Sequence, residues 1–139
     1  MKLILLPLMM SMGATVHSEN LEIFGTTLSL EPDCTLTAKN SDGDNTIIKL
    51  TLNAPSNCSV IKHSQTNVPH LVLIKSNYIV LIESTKSENN KCISNYTAIG
   101  IKPNGVVVAS EKSKKSGTCN IGREEKVFNY FEHKMKALR

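Results

Sequence analysis

Apolar positions fall into two kinds of run along this chain. The densest are Leu71-Val72-Leu73-Ile74 and Tyr78-Ile79-Val80-Leu81-Ile82, which flank the polar break Lys75-Ser76-Asn77. Short runs rich in Val, Ile and Tyr on either side of such a break predict a β-hairpin. Neither run alternates, so both faces of the hairpin are expected to be covered, and its natural place is the centre of a sheet. A single buried helix is the rival reading. Asn77, Ser76 and the β-branched content argue against it.

The other runs alternate and predict half-buried strands. Leu21-Glu22-Ile23 and Leu28-Ser29-Leu30 are two, separated by Gly25. Cys34 to Ala38 puts Leu36 and Ala38 on one face, and Asn40-Ser41-Asp42-Gly43-Asp44-Asn45 is a dense turn signal. Thr46 to Leu52 returns with Ile48, Leu50 and Leu52 on one face, which makes a second hairpin ending at Ala54-Pro55-Ser56-Asn57. Tyr96 to Ile101, the turn Lys102-Pro103-Asn104-Gly105 and Val106 to Ala109 make another.

The period changes at the end of the chain. Val127, Phe131, Met135 and Leu138 recur at helical spacing, with Phe128 beside them. Asn120 or Gly122 can cap this helix. Glu124 and Glu125 sit in its first turn, and Lys134, Lys136 and Arg139 crowd its last, both in the sense the helix dipole favours. Its apolar stripe is expected to lie on one face of the sheet. The pattern as a whole predicts an α+β fold: mainly antiparallel β-sheet built from hairpins, with one C-terminal helix packed on it and two disulfides.

Lys2, the apolar stretch Leu3 to Met10 and Val16-His17-Ser18 ahead of Glu19 read as a secretory signal over residues 1–18. The stretch is far shorter than the ~20 residues a membrane span needs, so no membrane anchor is expected. Residues 19–139 are then expected to form one β-rich domain with a C-terminal helix, and the expected compartment is the periplasm. The formal charge of +4 falls by one with Lys2 and is too mild to imply nucleic acid.

Cys34, Cys58, Cys92 and Cys119 all lie beyond the signal, and an even count in an exported chain points to disulfides. Cys34 and Cys58 flank one predicted hairpin, and Cys92 and Cys119 flank another. Bonds Cys34–Cys58 and Cys92–Cys119 would close both open ends, each adding roughly 3–4 kcal/mol on a chain-entropy account. No two cysteines have zinc-ligand spacing.

The same residues argue against chemistry. Asp42 to Asn53 fails as a calcium loop, since Ile47 stands where glycine is needed and Asn53 where glutamate is. There is no Gly-x-Ser-x-Gly, oxidised cysteines offer no thiolate, and no glycine-rich loop leads into a lysine-bearing helix. His70 follows Pro69 at a strand start and reads as a rim residue. Glu31, Asp33, Glu83 and Glu88 lie in loops or at strand ends, with nothing to pair two of them as acid and base. The expectation is a non-enzyme with no cofactor and no metal.

One charge cluster remains. Glu111-Lys112-Ser113-Lys114-Lys115-Ser116-Gly117 is basic and is expected to be a flexible loop after a strand. It is either a solvated loop or a finger for an acidic surface, with Lys112, Lys114 and Lys115 as its contacts. Lys86 and Lys91, in the expected loop Ser84 to Lys91, would add to it, diluted by Glu88.

The signal Met1 to Ser18, the four spaced cysteines, the Leu71 to Ile82 hairpin and the ending Cys119-Asn120-Ile121-Gly122-Arg123-Glu124-Glu125 together resemble the periplasmic bacteriocin immunity proteins. That resemblance implies a protein partner: a peptidoglycan-degrading, muramidase-type toxin that the producing cell must neutralise. A general lysozyme inhibitor and a structural surface or pilus module are the alternatives. The charged C-terminal helix counts against the last, because strand-donated pilus subunits end in an alternating strand.

Overall fold

In the computed structural model of this chain, residues 18–53, 55–63, 65–119 and 125–135 are described. The signal expected over 1–18 lies outside them except for Ser18. So do the expected caps Asn120 and Gly122, Glu124 in the first helical turn, and Lys136, Leu138 and Arg139.

Strands β1 (Glu19–Ile23), β2 (Thr26–Leu30), β3 (Leu36–Lys39) and β4 (Asn45–Ile48) form an antiparallel sheet in sequence order. Alternation drives it: Leu28, Leu30, Leu36 and Ala38 point inward in registered pairs, Leu28 opposite Ala38 and Leu30 opposite Leu36. The return strand β4 is shorter than Thr46 to Leu52. The Leu52 N–H donates to the Leu50 carbonyl, and the Thr51 hydroxyl donates to the Ser110 carbonyl at 2.8 Å. This pulls residues 49–53 off the ladder, although Leu50 and Leu52 still pack on the core.

The second sheet holds β5 (Cys58–Val60), β6 (Leu71–Ile74), β7 (Asn77–Glu88), β8 (Lys91–Ile101), β9 (Val107–Ala109) and β10 (Lys114–Ser116). Strands β7 and β8 pair from Tyr78 opposite Ile101 to Glu88 opposite Lys91. The outer edge of β7 carries β6 and β5 in succession, and that of β8 carries β9 and β10.

The structure differs from the sequence pattern at three places. Ser84 to Lys91 is not a loop: β7 and β8 run through it to a two-residue turn at Asn89-Asn90, with φ of 50° and 62°. Left-handed backbone at both positions suits asparagine and matches the strand twist. Likewise the central break is two residues, since Asn77 is buried and begins β7, and Lys75 and Ser76 take the left-handed turn at φ 49° and 70°. Finally, coverage on both faces holds for β7 alone. Strand β6 is an edge strand, and Leu73 on it is 57% exposed.

Three layers result. Val80, Ile82, Ile99 and Ile101 face the first sheet and share a core with Leu28, Leu30 and Leu36. Ile79, Leu81 and Ala98 face the other way, onto Phe128, Phe131 and Met135 of and just beyond helix α1 (Glu125–His133). Both phenylalanines are fully buried, a gain of about 2–3 kcal/mol each, so this stripe is core. Both expected disulfides form, Cys34–Cys58 and Cys92–Cys119. Their sequence separations of 24 and 27 correspond to about 3.5 kcal/mol apiece.

Candidate functional site

The β7–β8 hairpin outruns the first sheet. Past Ile82, the face that would meet β1 to β4 carries Ser84, Lys86 and Glu88 on β7 and Lys91, Ile93 and Asn95 on β8. On β10, Lys115 stands opposite Asn95 and joins the same face. Strand alternation thus gathers Lys86, Lys91 and Lys115 on one surface at one end of the molecule.

A cleft of about 280 Å³ opens there, lined by Lys86, Glu88 and Lys115 and floored by Ser84 and Asn95. Its remaining wall is the connection from β4 to β5, held by backbone-to-side-chain bonds. The Asn53 N–H donates to Asn95 Oδ1 at 3.1 Å, and the Ser56 N–H donates to Ser84 Oγ at 2.9 Å. Ser84 Oγ returns a bond to the Ser56 carbonyl at 2.7 Å. Asn95 Nδ2 donates to the Lys114 carbonyl at 3.1 Å, which pins β10 as the cleft's far rim. The polar floor is therefore already engaged, and the charged groups on the rim are what remain for a partner.

Of these, Lys86 Nζ lies 3.6 Å from Glu88 Oε2, with both side chains exposed. Lys91, Lys112 and Lys115 make no ion pair among the described residues. Lys114 is different. Its neighbour in alternation, it points to the helix side, where its Nζ sits 4.0 Å from the Tyr130 ring centroid. The expected flexible finger is thus a fixed edge. The Lys112 carbonyl accepts from Thr97 Oγ1 at 2.7 Å, and residues 114–116 are strand. Lys114 and Lys115 thus lie on opposite faces of β10, whereas Lys86, Lys91 and Lys115 share a face.

Elsewhere the titratable groups are dispersed. Glu83 is buried in β7 and accepts from Ser94 Oγ at 2.8 Å. Glu132 is buried on α1, 3.8 Å from Lys75 Nζ at the β6–β7 turn. His70 packs on His63 with ring centroids 4.0 Å apart, and its centroid lies 4.7 Å from that of Phe128. Burial holds the His70 imidazole below its usual 6.5, and the charge of His63 acts in the same direction. Among the described residues, no three His, Cys, Asp or Glu side chains gather as a metal site.

The cleft is hidden in the sequence because Ser84 to Lys91 is polar and charged and lacks the apolar pattern of a strand. Nothing in the spacing of Asn53, Ser56, Ser84, Glu88 and Asn95 links them, and only the strand register and the hydrogen bonds of the β4–β5 connection place them together. The signal that would have revealed it is Asn89-Asn90, a tight-turn pair with alternating residues on both sides.

Compared with known protein families, curated proteins and solved structures, the chain matches none.

Proposed function

We propose that this chain is a periplasmic immunity protein, one that binds and neutralises a muramidase-type bacteriocin and so protects the cell producing it. The observation that carries this reading is the basic end: Lys86, Lys91 and Lys115 share one face of strands β7, β8 and β10, which are joined by their ladders and by the nearby Cys92–Cys119 bond. A glycosidase works with paired carboxylates in a concave cleft. A stiff basic projection complements such a cleft in charge and shape. Complementary charge speeds encounter, and a surface already rigid loses little entropy on docking. The sequence features of an exported chain and its two disulfides suit an oxidising compartment where such a toxin would be met.

The test is hydrolysis of purified peptidoglycan by muramidase-type bacteriocins, with and without the oxidised protein. Stoichiometric inhibition of a bacteriocin, with unrelated lysozymes unaffected, is the expected result. Equal inhibition of all lysozymes would replace this reading with a general lysozyme inhibitor. No inhibition of any muramidase would overturn it.

A further inference from the structure

We infer that the cleft between Lys86 and Lys115 seats a carboxylate side chain from an acidic protein segment, and that Glu88 occupies the site until the partner arrives. The inference rests on the toxin-binding reading for the partner's identity, but the chemistry of the cleft stands separately. Two lysines line the opening from β7 and β10, and its one carboxylate, Glu88, already lies 3.6 Å from one of them. Lys115, across the cleft, has no ion pair among the described residues. An arriving carboxylate finds Lys115 free and competes with Glu88 for Lys86. The floor cannot supply the selectivity, because Ser84 and Asn95 are bonded to the chain's own Ser56, Asn53 and Lys114. Charge on the rim is what discriminates, and a volume of about 280 Å³ accommodates a side chain with part of its backbone.

This makes Glu88 an internal competitor, and its removal a gain. A weak exposed ion pair of this type contributes a few tenths of a kcal/mol up to about 1. Freeing Lys86 from it should strengthen binding about 2- to 5-fold. Glu88 also repels an incoming anion, which adds to the gain.

The experiment uses the full oxidised chain and a synthetic peptide with a run of glutamates, set against the same peptide with glutamines, in isothermal titration at low salt. The glutamate peptide should bind and the glutamine peptide should not. Glu88→Gln should tighten binding about 2- to 5-fold, while Lys86→Gln and Lys115→Gln should each weaken it by about 10-fold. Lys102→Gln, away from the cleft, should leave it unchanged. Weaker binding by Glu88→Gln, or equal losses from Lys102→Gln and Lys115→Gln, would overturn the inference. So would tighter binding of muropeptide fragments than of the glutamate peptide. The same variants in the muramidase assay separate the two claims. Loss of the peptide-binding pattern with inhibition of a muramidase intact overturns the cleft and spares the toxin reading. Glutamate-peptide binding with this pattern, but without inhibition of any muramidase, supports the cleft and overturns the toxin reading.

Discussion

Lys114 Nζ lies 4.0 Å from the centre of the Tyr130 ring, joining edge strand β10 to helix α1. Lys134 approaches the same ring at 5.4 Å. A half-buried ammonium over an aromatic face is worth about 0.5–1 kcal/mol. Lys114→Ala should therefore lower the urea unfolding free energy by about that amount, and Tyr130→Leu should make the loss non-additive in a double-mutant cycle. Partner association should be unaffected. Lys115→Ala, one residue on, should do the reverse: no change in stability and slower association. Adjacent lysines with opposite phenotypes follow from the alternation of a strand, and a flexible basic finger would give them the same one.

Glu132 is 1% exposed, and its Oε1 has no hydrogen bond, with Lys75 Nζ at 3.8 Å its only ion pair among the described residues. A buried charge with one partner at the surface is costly to keep and costlier to isolate. Glu132→Met should leave stability unchanged or raise it by about 1 kcal/mol, since an unbranched thioether of similar length replaces a buried carboxylate. Lys75→Met alone should lower stability, by more than an exposed lysine normally would, and adding Glu132→Met should restore it. Chemical denaturation of the three variants at pH 7 checks the order. A larger loss from Glu132→Met than from Lys75→Met would contradict it.

The His63–His70 stack predicts a pH dependence. His70 is held below 6.5 by burial first and by His63 second, so the folded state favours the neutral ring. Its Nδ1 is buried without a hydrogen-bond partner among the described residues, and the neighbouring Phe128 ring offers no charge. The unfolded chain takes up the proton more readily, so stability falls as pH drops below about 6.5. The penalty stops growing once the folded ring also titrates. Thermal melts from pH 7.5 to pH 5 should show this decline. His63→Ala should shrink it by removing a positive neighbour, and His70→Phe should remove its own share. An unchanged profile in His70→Phe would refute the assignment.

Much of this architecture was legible in the residues. Apolar Leu71 to Ile74 and Tyr78 to Ile82 marked the hairpin, and Phe128, Phe131 and Met135 marked the helix face. The flanking of hairpins by Cys34 with Cys58 and Cys92 with Cys119 gave the disulfide pairs. What stayed hidden was long-range and polar. Strand β7 runs past Ile82 through Glu83, Ser84 and Lys86, because it is paired with β8, and local propensity carries no record of that. Strand β5 is only three residues long and directly follows Pro55-Ser56-Asn57; it exists because Val60 docks opposite Ile82. Strand β10 is Lys-Lys-Ser, a poor strand by composition, fixed by its ladder to Ser94, Asn95 and Tyr96. The lysines at the candidate site were visible as a charge excess. Their division between two faces was not, because it depends on a register set by those pairings.

On the proposed function, Lys86, Lys91 and Lys115 act together as a docking surface for an acidic partner. The direct measurement is the association rate constant with an inhibited muramidase at two ionic strengths, for the native chain and for the triple variant Lys86→Glu, Lys91→Glu and Lys115→Glu. The native rate should fall as salt rises. The variant should associate on the order of 10- to 100-fold more slowly at low salt and lose or invert the salt dependence. Equal rate constants for the two proteins at both salt concentrations would contradict the claim.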